Sequence, residues 1–182
     1  MKKLLVTALA VLATSVFAGD SVTLEGQHID NVGSNAQKQY VLSAKKEISS
    51  NFAVDAAFQN AQTENTNALS TRLEAGVIGS YAVGPVSVYT RAALGEKYTN
   101  TTNFSYYSIE PGVQVPFGPL TAKVGWRYRT AVDSDTNADQ THTMRYSLNY
   151  TVTKLDTVGV RYDRVNGDND QKVVSFNYAR GF

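Results

Sequence analysis

From about residue 20 onward the chain alternates apolar with polar residues in segments of roughly ten, and no helical period persists anywhere along it. Thr, Val, Tyr and Phe recur at the apolar positions, as a half-buried strand requires. Ten runs are predicted as strands: 20-31, 37-48, 52-62, 68-82, 86-98, 104-117, 120-131, 141-152, 156-166 and 171-182. Four connections between them are tight: "SSN" around Ser50, "VGP" at Val83 to Pro85, "GP" at Gly118-Pro119 and "TKL" around Lys154. Five are longer and rich in Asn, Thr and Asp: "NVGSNA", "TENTN", "YTNTTN", "VDSDTNADQ" and "NGDND". Long and short connections alternate along the chain.

That order predicts an all-β, antiparallel up-and-down meander with the short turns at one end and the long loops at the other. An even number of strands can close and so leave no exposed edge. Strands of about ten residues with weak apolar alternation, short turns on one side and long loops on the other are the mark of a transmembrane β-barrel. Ten strands are expected, or eight if the weak first run does not pair.

A soluble barrel has the same period with its apolar face inward, so the composition of each face decides. One parity carries Val22, Leu24, Tyr40, Leu42, Phe58, Val77, Ile109, Trp126, Tyr146, Leu148, Tyr162, Phe176, Tyr178 and Phe182 among others. The other carries Glu25, Lys45, Glu47, Asp55, Arg72, Glu74, Arg91, Glu110, Lys123, Arg127, Arg129, Arg145, Arg161 and Asp163, with Ser, Thr, Gly and Asn between them. Charges inside and lipid outside is the favoured assignment. The aromatics Phe52, Tyr81, Phe117 and Phe182 gather near the short-turn end, where an interfacial girdle belongs. Charges that break the apolar parity also avoid its middle: Lys46 and Arg180 fall near the short turns, Arg164 and Lys172 near the loops. A basic residue costs about 2–4 kcal/mol at the bilayer midplane and about 0–1 near its interfaces, where long side chains can snorkel.

Composition sharpens this picture. The first eighteen residues, "MKKLLVTALAVLATSVFA", read as a secretory signal peptide with a basic start, an apolar run and small residues before Gly19, leaving 19-182 as a single barrel domain. No later stretch approaches the ~20 apolar residues of a spanning helix. The chain has 17 Lys and Arg against 16 Asp and Glu, and loss of Lys2 and Lys3 with the leader leaves it close to neutral. Nucleic acid is therefore not an implied partner. Cysteine is absent, so stability must come from packing, strand pairing and the membrane rather than from disulfides.

Turn positions set the registers, which place Lys45 opposite Asp55, Arg145 opposite Asp163, Glu110 near Arg127 and Glu74 diagonal to Arg91. Two readings of these inward charges stand side by side. They form a polar plug that fills a small barrel, or they line a narrow pore in which eight bases exceed six acids and anions are mildly favoured. Size limits the second reading, because about eight strands give a filled interior and 16–18 an aqueous channel.

Other chemistries find little support. His28 and His142 lie far apart and lack a carboxylate or Ser at a telling spacing, and "THTM" lacks the His-x-Ser of outer-membrane lipid A deacylases. Asp133, Asp135, Asp139 and His142 are the residues from which a loop-rim enzyme would have to be built. "DSDTNAD" alternates oxygen ligands like a calcium loop, but Ala138 stands where Gly is needed and Met144 where a Glu would close the site. It reads as a solvated loop. Glycosylation triplets at Asn100, Asn103 and Asn149 are chance matches. No enzyme activity, metal or other cofactor is expected.

The C-terminal run "SFNYARGF" carries the most specific resemblance. Val174, Phe176, Tyr178 and Phe182 place apolar residues at alternate positions before a terminal Phe, and in this the chain resembles the Gram-negative outer-membrane β-barrels. Arg180 occupies a position that is usually apolar or Tyr in that family. The resemblance implies residence in the outer membrane after export through the periplasm, with periplasmic chaperones and the barrel-assembly machinery, which reads the last strand, as partners. The run "YYSIEPGVQVPFGPLTAKVGWRYR" is similar to a stretch of the small monomeric porins for acidic oligosaccharides, which share inward basic residues but have twelve strands. The expectation is thus a monomeric outer-membrane barrel acting as a narrow passive channel for ions or small anionic solutes. It would be lined by Lys45, Arg72, Glu74, Arg91, Glu110, Lys123, Arg127, Arg129, Arg145, Arg161 and Asp163. The alternatives are a non-conducting structural or surface-interaction barrel and, further off, a loop-rim enzyme.

Overall fold

The computed structural model describes residues 20–66, 68–134 and 138–182; the expected signal peptide lies outside them. Ten strands form in chain order: β1 (Ser21–Asn31), β2 (Gln37–Ser49), β3 (Phe52–Thr63), β4 (Leu69–Val83), β5 (Val86–Thr99), β6 (Asn103–Phe117), β7 (Leu120–Ala131), β8 (Thr141–Thr151), β9 (Asp156–Gly167) and β10 (Gln171–Gly181). Each is antiparallel to its sequence neighbours, and β1 pairs with β10, so the sheet closes into a barrel. The eight-strand alternative is excluded. The first run pairs on both edges, from Ser21 opposite Gly181 to Asn31 opposite Gln171 on one side and from Ser21 opposite Lys45 to Ile29 opposite Gln37 on the other. Its weak apolar pattern does not matter to closure, because backbone ladders are indifferent to side chain and an unpaired edge would leave a row of donors and acceptors without partners.

Two of the tight turns show how local sequence sets the hairpins. Val83-Gly84-Pro85-Val86 and Phe117-Gly118-Pro119-Leu120 are two-residue connections in which the glycines take φ of +62° and +61°. A positive φ at the first central position followed by proline's fixed negative φ matches the twist of the flanking strands. All four short connections and both chain ends of the barrel lie at one end, and the five longer loops lie at the other. In the β2–β3 hairpin the register shifts between Glu47 and Ser49, a bulge that leaves Ile48 unpaired and exposed.

The outer wall is apolar. Leu24, Tyr40, Leu42, Phe58, Val77, Ile109, Leu148, Val160 and Phe176 are all exposed there, and such a continuous belt is stable only against lipid. Phe52, Tyr81, Phe117 and Phe182 ring the short-turn end. Alternating positions on the same strands are buried and polar, among them Glu74, Glu110, Arg127, Arg129 and Asp163. No helix among the described residues is long and apolar enough to cross a membrane; this chain crosses with strands.

Candidate functional site in the barrel lumen

Two chains of ion pairs cross the lumen. In the first, Arg91 donates to Asp55 through Nε (2.7 Å) and Nη2 (3.1 Å) and to Glu74 through Nη1 (2.6 Å). Glu74 also receives Arg127, whose Nη2 reaches the Ser108 hydroxyl at 3.2 Å. In the second, Glu110 accepts from Arg145 (2.6 Å) and from the Tyr89 hydroxyl (3.3 Å). Arg145 continues to Asp163 (3.3 Å), and Arg161 joins Asp163 (3.2 Å) to Glu25 (2.8 Å). Arginine suits this role because its fork of donors can serve two carboxylates at once.

The registers read from the sequence are correct, while two of the four pairings expected from them are not. Lys45 does lie opposite Asp55, yet its ammonium goes to Glu47 on its own strand (2.7 Å) while Asp55 takes Arg91 two strands away. Arg127 passes over Glu110 to reach Glu74, and Glu110 takes Arg145. Neighbour rules for an open sheet fail here because side chains on a closed wall converge on the axis, so a long side chain reaches beyond the adjacent strand. Glu74 with Arg91 and Arg145 with Asp163 pair as the registers place them.

A glycine opens the path for the first chain. Gly76 of β4 faces inward between Asp55 and Arg91's strand, and a Cβ there would stand 2.6 Å from Asp55 Oδ1, 3.0 Å from the Ala92 carbonyl and 3.1 Å from Ala93 Cβ. Gly76→Ala is expected to displace Asp55 from Arg91 and to cost about 1–3 kcal/mol, the usual range for overpacking. A lowered urea midpoint of the folded barrel in lipid vesicles checks this.

Toward the loops the chemistry changes. Asp139, in the β7–β8 connection, is turned into the mouth and 1% exposed. Its carboxylate accepts from Lys97 (2.8 Å) and from Arg129 Nη2 (3.0 Å), with Arg129 Nε at ion-pair distance, 2.9 Å, from its other oxygen, and Arg129 lies over the ring of buried Tyr106 at 5.6 Å. Burial alone would raise the Asp139 carboxyl; Arg129, Lys97 and Arg72 outweigh it and hold it below its ordinary range. The expectation of a solvated loop is therefore corrected at this residue: the carboxylate is buried because two inward cations receive it. Residues 135–137 of the same loop are outside the described residues, and with them Asp135. His142 lies instead on the outer wall, stacked on Trp126 at 5.6 Å and tilted against Tyr128 at 5.2 Å, so the wall separates it from Asp139.

Three further residues belong to this site and follow from parity alone. Lys97 sits on the Arg91 parity of β5, Tyr106 on the Glu110 parity of β6, and Tyr89 on the Arg91 parity as well. Reading aromatics only as lipid-facing hid the two tyrosines. Asp139 had no such signal, because a loop has no parity. Asp20, buried beside the short turns, accepts from the Glu47 amide (3.0 Å).

Among the described residues, Arg72 and Lys123 face the interior with no carboxylate at ion-pair distance, and Arg72 Nε is buried without a hydrogen-bond partner. A cavity of 880 Å³ touches both ends of the ion-pair chains, from Asp20, Lys154 and Phe182 at the short turns to Arg129, Thr141 and Gln171 toward the loops. The eight inward bases of the sequence become nine with Lys97, and the six acids become eight with Asp20 and Asp139. Among the described residues the positive excess is therefore small and sits at the loop end, where Arg72, Lys97 and Arg129 face a single carboxylate.

Closed ten-strand topology, an apolar outer belt and a charged interior together define a transmembrane β-barrel of the outer-membrane type. No family model matches the sequence, and no curated protein does. Among solved structures the fold is similar to the COG4313 outer membrane channel from Pseudomonas putida F1, with a TM-score of 0.58 at 11% identity over 93% of this chain and 97% of that one. It is also similar to the KdgM porin in complex with disordered oligogalacturonate, with a TM-score of 0.52 at 12% identity over 89% and 99%. The translocator domain of the autotransporter NalP from Neisseria meningitidis gives 0.51 at 10% identity over 100% and 94%. These likenesses are of fold.

Proposed function

We propose that this protein is a monomeric passive channel of the outer membrane that conducts small anions. The observation that carries this reading is a cavity beside the ion-pair chains whose lining includes residues near both ends of the barrel. The two crossing chains draw their members from β1 and from β3 to β9, while β2 carries only the separate Lys45–Glu47 pair, and Ser43, Asn177 and Ala179 of β2 and β10 line the cavity. Anions are favoured because among the described residues the loop-end mouth holds three cations against one carboxylate, and because neither Arg72 nor Lys123 has a carboxylate at ion-pair distance there. Solutes must be small, since a barrel of this strand number is nearly filled by its own side chains. The experiment is flux from liposomes: folded protein should release trapped chloride faster than protein-free vesicles while retaining sucrose.

A second reading, a non-conducting barrel stabilised by its lumen, is favoured by the depth of burial of Glu74, Glu110 and Asp163. Unchanged chloride release over protein-free vesicles would select it.

Assembly by the outer-membrane machinery is supported by the outward row Val174, Phe176, Tyr178 and Phe182, all exposed. Arg180, which breaks that row, donates to Asp156 at 3.1 Å, and the Tyr178 hydroxyl donates to the same carboxylate at 2.6 Å. Its charge is thus matched at the short-turn rim rather than only carried toward headgroups. Arg180→Tyr is expected to raise the folded fraction recovered from the outer membrane, read as the heat-modifiable band on an unboiled gel.

A further inference from the structure

Two cations stand side by side on the outside of the barrel. Arg164 of β9 and Lys172 of β10 share the lipid-facing parity and lie directly opposite each other in the register. Like charges so placed oppose strand pairing. Neither has a carboxylate at ion-pair distance among the described residues. Asp30 of β1 does lie opposite Lys172, but its carboxylate is engaged with His28 Nε2 at 3.1 Å.

Their depth identifies what neutralises them. One step toward the short turns the surface is Tyr146, Tyr162 and Val174, with the two tyrosine rings stacked at 6.5 Å. The opposite limit of this apolar face is the Arg180–Asp156 pair, eight positions below Lys172 on β10. At about 3.3 Å per residue that is roughly 26 Å along the strand, or about 20 Å across the membrane at the usual tilt of about 40°. Arg164 and Lys172 therefore stand at headgroup level, directly above a wall that acyl chains must cover.

We propose that Arg164 and Lys172 form a site for the phosphate of a lipid headgroup in the leaflet at the loop end of the barrel. A phosphate offers several acceptor oxygens, which suit a guanidinium fork and an ammonium presented together, and its negative charge turns an unfavourable cross-strand pair into a bridged one. The acyl chains of the same molecule lie against Tyr162 and Val174. The site does not depend on whether the lumen conducts.

The test uses the folded full-length barrel in detergent, incubated with phosphatidic acid or with diacylglycerol of the same chains, and native mass spectrometry to count retained lipid. Wild type is expected to retain phosphatidic acid about tenfold better than diacylglycerol, the difference one or two charge-assisted hydrogen bonds supply. Arg164→Gln/Lys172→Gln should abolish that preference, whereas Lys46→Gln at the other rim should keep it. The proposal is overturned if the double variant retains phosphatidic acid as wild type does, or if wild type fails to distinguish the two lipids, a comparison that needs no variant to fold. Displacement of the lipid by an equal concentration of inorganic phosphate would also overturn it, by pointing to a site for the free anion.

Discussion

Replacing Glu74 by Ala is expected to lower the stability of the folded barrel by about 3–5 kcal/mol, the cost of leaving buried charge without its partner. Glu74 is the acid shared by Arg91 and Arg127, and its side chain is 3% exposed. Without it Arg91 keeps Asp55, but Arg127 keeps only the Ser108 hydroxyl. Burial is what makes the change expensive. Glu47→Ala removes an ion pair of similar length from Lys45, but there the side chains are 40% and 37% exposed, and water replaces the lost partner for about 0–1 kcal/mol. Equilibrium unfolding in urea from phospholipid vesicles separates the two: a large fall in midpoint for Glu74→Ala and almost none for Glu47→Ala. Equal and small effects would mean that the central lumen is as wet as its rim.

The second large effect concerns selectivity. Asp139→Ala removes the carboxylate that, among the described residues, faces Arg72, Lys97 and Arg129, so the loop-end mouth gains a full unit of positive charge. A unit charge a few ångströms from a passing ion is worth about 1 kcal/mol even in water, which corresponds to about a fivefold rise in the preference for anions. The same change frees the loop from the mouth, so conductance should rise as well. Acid should mimic it. Because the folded carboxyl lies below its ordinary range, the stability it contributes is fully present above the ordinary value of about 3.9 and is lost as pH falls from there through the lowered folded value, while in the folded barrel the carboxylate keeps its contacts until that lowered value is reached. Wild-type channels should therefore keep their selectivity through the ordinary carboxylate range and shift toward the Asp139→Ala behaviour only at lower pH, as the lowered folded value is passed, while Asp139→Ala itself should show no such shift.

Much of this architecture is legible in the sequence because period two does two jobs at once. It marks each strand, and it sorts side chains onto two walls; every predicted strand boundary lies within one residue of the observed one. Registers follow because the short turns pin each hairpin. What the alternation does not encode is the reach of side chains once the wall curves. Asp55 finding Arg91 across Gly76 depends on closure and on a missing Cβ, neither of which is a property of one hairpin. Asp139 marks the other limit. Its position is decided by Lys97 and Arg129 waiting in the mouth, and nothing in "DSDTNAD" itself turns that aspartate inward rather than out to solvent. The Arg164 and Lys172 pair shows the reverse case: both were visible as exceptions to the apolar parity, and only the register made them neighbours.

The most direct measurement of the channel reading is the zero-current potential of single barrels in a planar bilayer separating two concentrations of potassium chloride, recorded for wild type and for Arg72→Glu. Wild type should open discrete conductance steps with a potential of the sign that chloride selectivity produces, and Arg72→Glu should move that potential toward or past zero. Correctly folded, heat-modifiable protein that gives no steps above background would contradict the account, as would a cation-selective potential in wild type.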